Sequence, residues 1–404
     1  MKNRDYPCIL LIFILVNIFS SCKLHKLELP DYPVAAFGEI KALKVCNSDS
    51  TIRYPQIVKG ETDFGMLWLE KKSEKNMVFF APICINRAKA AVDFPKTFCV
   101  SENASYPALS YNQGEFVIAY YDIDSDKIHI EQRSAAGELK KKLALDSPVH
   151  SSTPKISFCQ NAPAGELALC WINTKAPDSI HFVFYDKSRN IIMDSQVLKE
   201  EEIFSEKITE KIFSENIAGI YFQSYYYLFW SGYDPGGKEL EIFRAVYDTE
   251  TKSISDATKA MNMESGDNLV DEPCLSITQW GGNLILATGL LFNESSCISL
   301  YSFNDTAELS NAKRITAITK RKNEITQPII RSMGENLLMA WSVKSQPGGI
   351  AFQNTLLPDT IEKDDYLIQQ DNYQAAYPSL CWDQNHPVLL WCSEEDSQNL
   401  WIAF

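Results

Sequence analysis

Apolar and polar positions along the chain recur in a repeating order. A Pro is followed two residues later by Ile or Leu, then by a polar stretch, and an apolar run closes on Trp or Tyr. Residues 55–68 (PQIVKGETDFGMLW), 107–120 (PALSYNQGEFVIAY), 328–341 (PIIRSMGENLLMAW) and 378–391 (PSLCWDQNHPVLLW) all place the aromatic 13 residues after the Pro. Residues 154–171 carry a four-residue insertion around 161–165, Pro273 opens a copy with Thr288 in the aromatic's place, and a copy without Pro ends at Trp230. The marker positions 68, 120, 171, 230, 288, 341 and 391 are separated by 52, 51, 59, 58, 53 and 50 residues. A period of this size marks a repeat architecture, in which each unit completes its core against its neighbours.

Each copy reads as a hairpin: a strand opened by Pro, a polar turn with Gly, Asn or Asp, and a second strand rich in β-branched and aromatic residues. A third strand follows the marker, as in residues 127–132, 180–185 and 239–247, and then a fourth, as in 97–100, 141–145 and 365–369. Four strands per unit in seven units predict an all-β fold, a seven-bladed β-propeller of four-stranded antiparallel blades. The competing layout is two separate all-β domains. The last copy stops after a third strand at residues 400–404, and residues 37–46 (FGEIKALKVC) resemble a displaced fourth strand. Pairing the two closes the ring and removes its open edges. Residues 199–215 are charged, have a roughly helical period and are expected to form an inserted helix.

Hydrophobic residues make up 45% of the 404 positions, enough for a sizeable core, and the formal net charge of -14 argues against a nucleic-acid partner. Lys2 and Arg4 precede an apolar run at residues 8–19, and Ser20, Ser21 and Cys22 follow. The run is too short to span a bilayer and reads as a secretory signal peptide. With its small residues before Cys22 it resembles a bacterial lipoprotein signal, although Phe19 stands where Leu is usual and Asp5 lies among the basic residues. That resemblance implies lipidation at Cys22, by diacylglycerol and a fatty acyl chain such as palmitate, and anchoring in the cell envelope. Residues 1–21 are then the signal, 22–33 a lipidated tether and 34–404 the propeller. Lys23 after the Cys favours the outer membrane or cell surface over the inner membrane. As a whole, the chain resembles bacterial envelope lipoproteins built from a seven-bladed propeller.

Beyond Cys8 and Cys22, nine Cys remain, and no CxxC pair or His at ligand spacing accompanies them, so neither a metal site nor a cofactor is expected. They read as small hydrophobes within strands, with Cys84–Cys99 the best candidate disulfide. Residues 122–126 (DIDSD) space their carboxylates like a calcium loop, but Lys127 stands at the Gly position, which favours a solvated acidic turn. Metalloprotease, nucleophile-elbow and P-loop motifs are missing, so no catalytic residue is assigned. The layout resembles sialidase-type propellers in outline only, since no copy carries an Asp box. The candidate ligand site is positional. Residues leading into the innermost strands converge on the axis, and these are Tyr54, Tyr106, Asp271, Glu272, Gln327 and Tyr377. Aromatic and polar groups in a ring suit a sugar or peptide, although each Tyr could instead simply pack on its Pro. The expectation is a non-catalytic binding or scaffold domain for an envelope protein or glycan. The alternative is a glycoside hydrolase or lyase using Asp271 and Glu272.

Overall fold

The computed structural model describes residues 42–145, 154–173, 179–186, 191–199, 213–233, 240–255, 257–262, 267–269, 275–292, 295–303, 313–317, 325–343, 349–355, 366–369, 375–383, 386–393 and 399–404. Its strands form seven antiparallel sheets, four of four strands and three with a short additional fifth. The hairpins at their hearts are Thr51–Lys59 with Phe64–Lys72, Ala104–Asn112 with Glu115–Asp122, and Ser157–Phe158 with Glu166–Asn173. Next come Phe213–Phe222 with Tyr225–Tyr233, Leu275–Trp280 with Asn283–Phe292, Ile325–Met333 with Asn336–Val343, and Ala375–Asp383 with His386–Ser393. The first strand of each hairpin touches the first strand of the next, and Ala375–Asp383 returns to Thr51–Lys59. This is a ring of inner strands, and residues 40–404 make one compact unit.

Packing explains why the second strands read as unbroken apolar runs instead of alternating ones. Each sheet is covered on both faces by its neighbours, so both faces of its middle strands are buried. Phe64 to Leu69 are all buried, as are Phe116 to Tyr121. The core therefore lies between sheets: Leu67, Phe80, Phe116 and Ile118 join the first to the second, and Trp171, Val117 and Ile130 join the second to the third. Ile52, Trp68, Val388 and Leu400 join the first to the last. The marker aromatics fix each sheet internally by facing the third strand directly across the ladder. Trp68 stacks on Phe79 at 5.7 Å, Trp230 on Phe243 at 5.9 Å and Trp171 on His181 at 5.0 Å, while Tyr120 meets His129 at 5.4 Å.

Pro does not open the first strand, as the sequence suggests, but lies inside it. The ladder shifts register between Arg53 and Gln56, Ser105 and Ala108, Thr326 and Ile329, and Ala376 and Ser379. Each Pro thus occupies a β-bulge, where its missing N–H interrupts no ladder bond.

The third strands include Lys127–Arg133, Ser179–Asp186 and Leu240–Asp248, and the fourth strands include Phe98–Ser101, Leu139–Leu145 and Tyr366–Gln369. The strand before the first hairpin is Ala42–Asn47, and it pairs antiparallel with Asn399–Ala403 from Ala42↔Ala403 to Asn47↔Asn399. The last sheet is closed by the beginning of the chain; residues 37–41 lie outside the described residues. In the region expected to be an inserted helix, Lys199 ends one strand and residues 213–215 begin another, while 200–212 lie outside the described residues. Residues 1–21, Cys22 and the tether also lie outside them.

The Cys84–Cys99 pairing is corrected. Cys84 lies on the long strand Lys75–Asn86, and Cys99 faces Phe79 of that same strand, five residues away from Cys84. At the rise of an extended chain that is about 17 Å, against the ~7 Å limit for a disulfide. Cys159, Cys170, Cys381 and Cys392 are buried thiols.

Candidate functional site

Register places the inner strands on a common scale. The residues paired with the position just before each marker are Gln56, Ala108, Ser157, Ala218, Ser276, Ile329 and Ser379. Two residues earlier in the chain the sequence puts Cys274 in the fifth copy and, among the described residues, Tyr54, Tyr106, Lys155, Asn216, Gln327 and Tyr377 in the other six. These six occupy one level of the ring. Cys274 lies outside the described residues, as do the expected site residues Asp271 and Glu272. The other four expected residues, Tyr54, Tyr106, Gln327 and Tyr377, are brought to this level together.

The same four share a backbone feature that sequence does not disclose. Tyr54 (φ 50°), Tyr106 (φ 37°), Gln327 (φ 55°) and Tyr377 (φ 54°) are left-handed, each directly before its Pro. A bulky residue in that region costs of order 1–3 kcal/mol and persists only where its surroundings demand it. The surroundings here are the other members of the ring. Tyr54 lies between Tyr106 (rings 4.8 Å apart) and Tyr377 (4.5 Å), so three adjacent sheets contribute one aromatic arc. Lys155 Nζ stands 5.1 Å above the Tyr106 ring, and Gln327 Oε1 accepts the Tyr377 backbone N–H at 2.6 Å.

Just below this level, side chains fasten neighbouring inner strands, whose channel-side edges would otherwise leave backbone groups unpaired. Gln56 Oε1 accepts from Leu109 N (2.8 Å), Ser276 Oγ from Ile330 N (3.0 Å) and Ser379 Oγ from Ile57 N (3.0 Å). The three acceptors hold the same register position in their sheets. Between the third and fourth sheets the backbone does the work itself: Gln160 N donates to Gly219 O and Tyr221 N to Gln160 O. Gly219 is needed there, because a Cβ would sit 2.3 Å from Cys159 Sγ.

The channel holds a cavity of about 530 Å³ lined by Tyr54, Lys155, Asn216, Gln327 and Tyr377, and further along by Lys59, Tyr111 and Arg331. Its charged lining among the described residues is cationic. Lys59 pairs with Asp383 at 3.2 Å, and Arg331 Nη1 donates to Ile330 O at 2.8 Å. Burial, with the neighbouring Cys170 adding to it, holds the Cys159 thiol well above its usual range.

The acidic turn after the second hairpin is tied up locally. Asp122 Oδ1 accepts from Ser125 N and Oγ, both at 2.8 Å, Asp124 Oδ1 from Asn103 Nδ2 at 2.6 Å, and Asp126 Oδ1 from Tyr121 Oη at 2.7 Å. No cluster with metal-binding geometry occurs among the described residues.

Lys155 and Asn216 are members of the ring that the repeat reading missed. Counting from Pro154 puts Ser152 and Thr153 at the third lead-in, which holds only if the insertion lies wholly in the hairpin turn. Half of it precedes the turn, so Ile156, not Pro154, is the counterpart of Pro55. Counting back 14 residues from Trp230 finds Asn216, but the same count from Trp171 lands on Ser157, and only the pairing of Ser157 with Cys170 puts Lys155 at this level.

A ring of mainly four-stranded antiparallel sheets around an axial cavity defines a β-propeller. In fold the chain is similar to the polysaccharide lyase Uly1, with a TM-score of 0.54 at 9% identity over 86% of this chain and 88% of that one. It is also similar to the β-propeller domain of the Trilobed protease from Pyrococcus furiosus, described as having an open velcro topology (TM-score 0.51, 10% identity, 88% and 94% covered). A third similar fold is the alpha-L-arabinanase of Penicillium chrysogenum in complex with arabinobiose (TM-score 0.50, 11% identity, 74% and 92% covered). At such identities the likeness establishes the fold alone. No family model matches the sequence, and no curated protein matches it.

Proposed function

We propose that the chain is a cell-envelope lipoprotein whose seven-bladed β-propeller, residues 34–404, binds a glycan or protein partner in its axial channel without breaking bonds. The observation that carries this reading is the ring itself. Tyr54, Lys155, Asn216, Gln327 and Tyr377 line a cavity of about 530 Å³ at one register level that Tyr106 shares, and four of these six hold a costly left-handed backbone. Backbone strain repeated at equivalent positions, with aromatic and amide groups facing a cavity of ligand size, supports a recognition site. Location rests on the N-terminal pattern: residues 1–21 are a signal, Cys22 takes the lipid and residues 22–33 tether the propeller, with Lys23 favouring the outer membrane or cell surface.

A second reading, glycoside hydrolase or lyase, is favoured by one observation: two of the similar folds are a polysaccharide lyase and an arabinanase. It requires carboxylates that cooperate, and Asp271 and Glu272 are the residues to test. Screening the chain against envelope glycans and peptides, with mass spectrometry of the recovered ligand, separates the readings. Binding with intact ligand, abolished by the Tyr106→Ala, Tyr377→Ala double substitution, supports the first. Turnover lost in Asp271→Asn or Glu272→Gln establishes the second.

A further inference from the structure

We infer that Lys155 is a specificity-determining residue of the channel site: its side chain covers the channel face of Tyr106 and limits the rings on which a sugar can stack to Tyr54 and Tyr377. This rests on the glycan form of the binding reading above. The cover follows from three placements. Tyr377, Tyr54 and Tyr106 form one aromatic arc on three adjacent sheets, and Lys155 occupies the same level on the next. Lys155 lines the cavity together with Tyr54 and Tyr377, whereas Tyr106 does not line it. Lys155 Nζ stands over the Tyr106 ring, 5.1 Å from its centre. The lysine therefore lies between that ring and the channel.

Tyr106 thus has two neighbours at its own level: Tyr54, whose ring is 4.8 Å away, and the ammonium of Lys155. The second contact is a cation–π interaction, in which a charge within the protein occupies the negative face of the ring. A pyranose uses the same face when it lays its C–H groups on a tyrosine, so the lysine and a sugar compete for Tyr106. The consequence is a short platform. An oligosaccharide in the channel meets two rings, and contact with a third requires the ammonium to leave Tyr106.

Substitution separates the two parts of the side chain. Lys155→Ala removes both stem and charge and uncovers the ring. Lys155→Met removes the charge but keeps an unbranched apolar stem in place. Covering by the stem predicts that the first variant opens Tyr106 and the second does not, whereas an effect of charge alone predicts that both behave alike.

The test soaks crystals of the full chain, unsubstituted and with each of these two changes, in glucose at molar concentration and locates the sugars stacked on the three rings. In the unsubstituted chain glucose is expected on Tyr54 or Tyr377 and not on Tyr106. Lys155→Ala should gain a glucose on Tyr106, and Lys155→Met should not. Glucose on Tyr106 in the unsubstituted chain overturns the cover and leaves the channel site standing. So does a Tyr106 that stays bare in Lys155→Ala while Tyr54 or Tyr377 carries a sugar. Glucose on Tyr106 in both variants assigns the block to charge and overturns the covering role of the stem. Glucose on none of the three rings in any crystal overturns the stacking role of the arc, on which the glycan reading depends.

Discussion

The rings of Tyr54 and Tyr377 lie 4.5 Å apart at a tilt of 58°, although 323 positions separate the two residues along the chain. They meet because the last inner strand docks on the first, and both adopt φ values near 50° to do so. The closure of the ring and the construction of the channel site are thus one event. Whatever holds the first and last sheets together also holds the aromatic arc.

Ring closure gives the first prediction. Ala42–Asn47 supplies the outer strand of the last sheet, and Leu43 and Val45 pack against the core shared by the first and last sheets. A chain beginning at Ser48 should lose about 3–5 kcal/mol of stability and associate through the bared edge of Asn399–Ala403. Denaturant unfolding and light scattering check it; a monomer with an unchanged midpoint would contradict the closure.

The left-handed tyrosines give the second. At Tyr106, φ 37°, Ala and Gly both remove the ring, but only Gly accepts the backbone without strain. Tyr106→Gly should therefore be more stable than Tyr106→Ala by about 1 kcal/mol, reversing the usual order of the two residues in a strand. Equal unfolding midpoints would remove the strain from the account.

A buried ionic cluster in the second sheet gives the third. Glu131 (2% exposed) takes bonds from Arg133 Nε at 3.0 Å and Nη2 at 2.6 Å and from Tyr120 Oη at 2.9 Å, and Lys142 approaches it at 3.4 Å. Arg133 Nη1 also donates to Gly137 O at 3.0 Å, which pins the turn before the fourth strand. Removing one member of such a pair strands the other: Arg133→Met should cost about 3 kcal/mol, and the further change Glu131→Gln should recover part of it. A double-mutant cycle on unfolding free energies measures this, and strictly additive costs would refute the coupling.

Acid sensitivity is the fourth. Burial against Trp171 lowers the His181 imidazole to about 4, and burial lowers His129 too, with Lys142 adding to it. The unfolded chain binds the His181 proton near the ordinary 6.5 and the folded chain does not. Stability is therefore full above pH 6.5 and falls as the pH drops toward 4, by up to about 3 kcal/mol for His181. His181→Phe, which matches Phe79 and Phe243 at the equivalent positions, should flatten the pH dependence of the urea midpoint between pH 7 and 4.5. An unchanged slope would rule His181 out as its source.

Much of this architecture is legible in the chain, for a physical reason. Sheets buried on both faces need continuous apolar runs, so the second strands and their markers stand out, and equal spacing from Pro to marker reports equal hairpins. Position around the axis is harder to read. Tyr54, Tyr106, Gln327 and Tyr377 are found because a Pro follows each, whereas Lys155 and Asn216 share their level without that signal. Their place depends on pairing register, which an insertion of uncertain split conceals. The pairing of Trp68 with Phe79, or of Trp171 with His181, likewise becomes visible only when the third strand's register is known. Left-handed backbone at a tyrosine runs against residue preference and is imposed by the ring.

The most direct measurement of the central claim is a crystal structure of the chain soaked with the envelope glycan or peptide that binds best. The account predicts density in the axial channel at the level of Tyr54, Gln327 and Tyr377. Density on an outer face of the disc, with the channel filled by water alone, would contradict it.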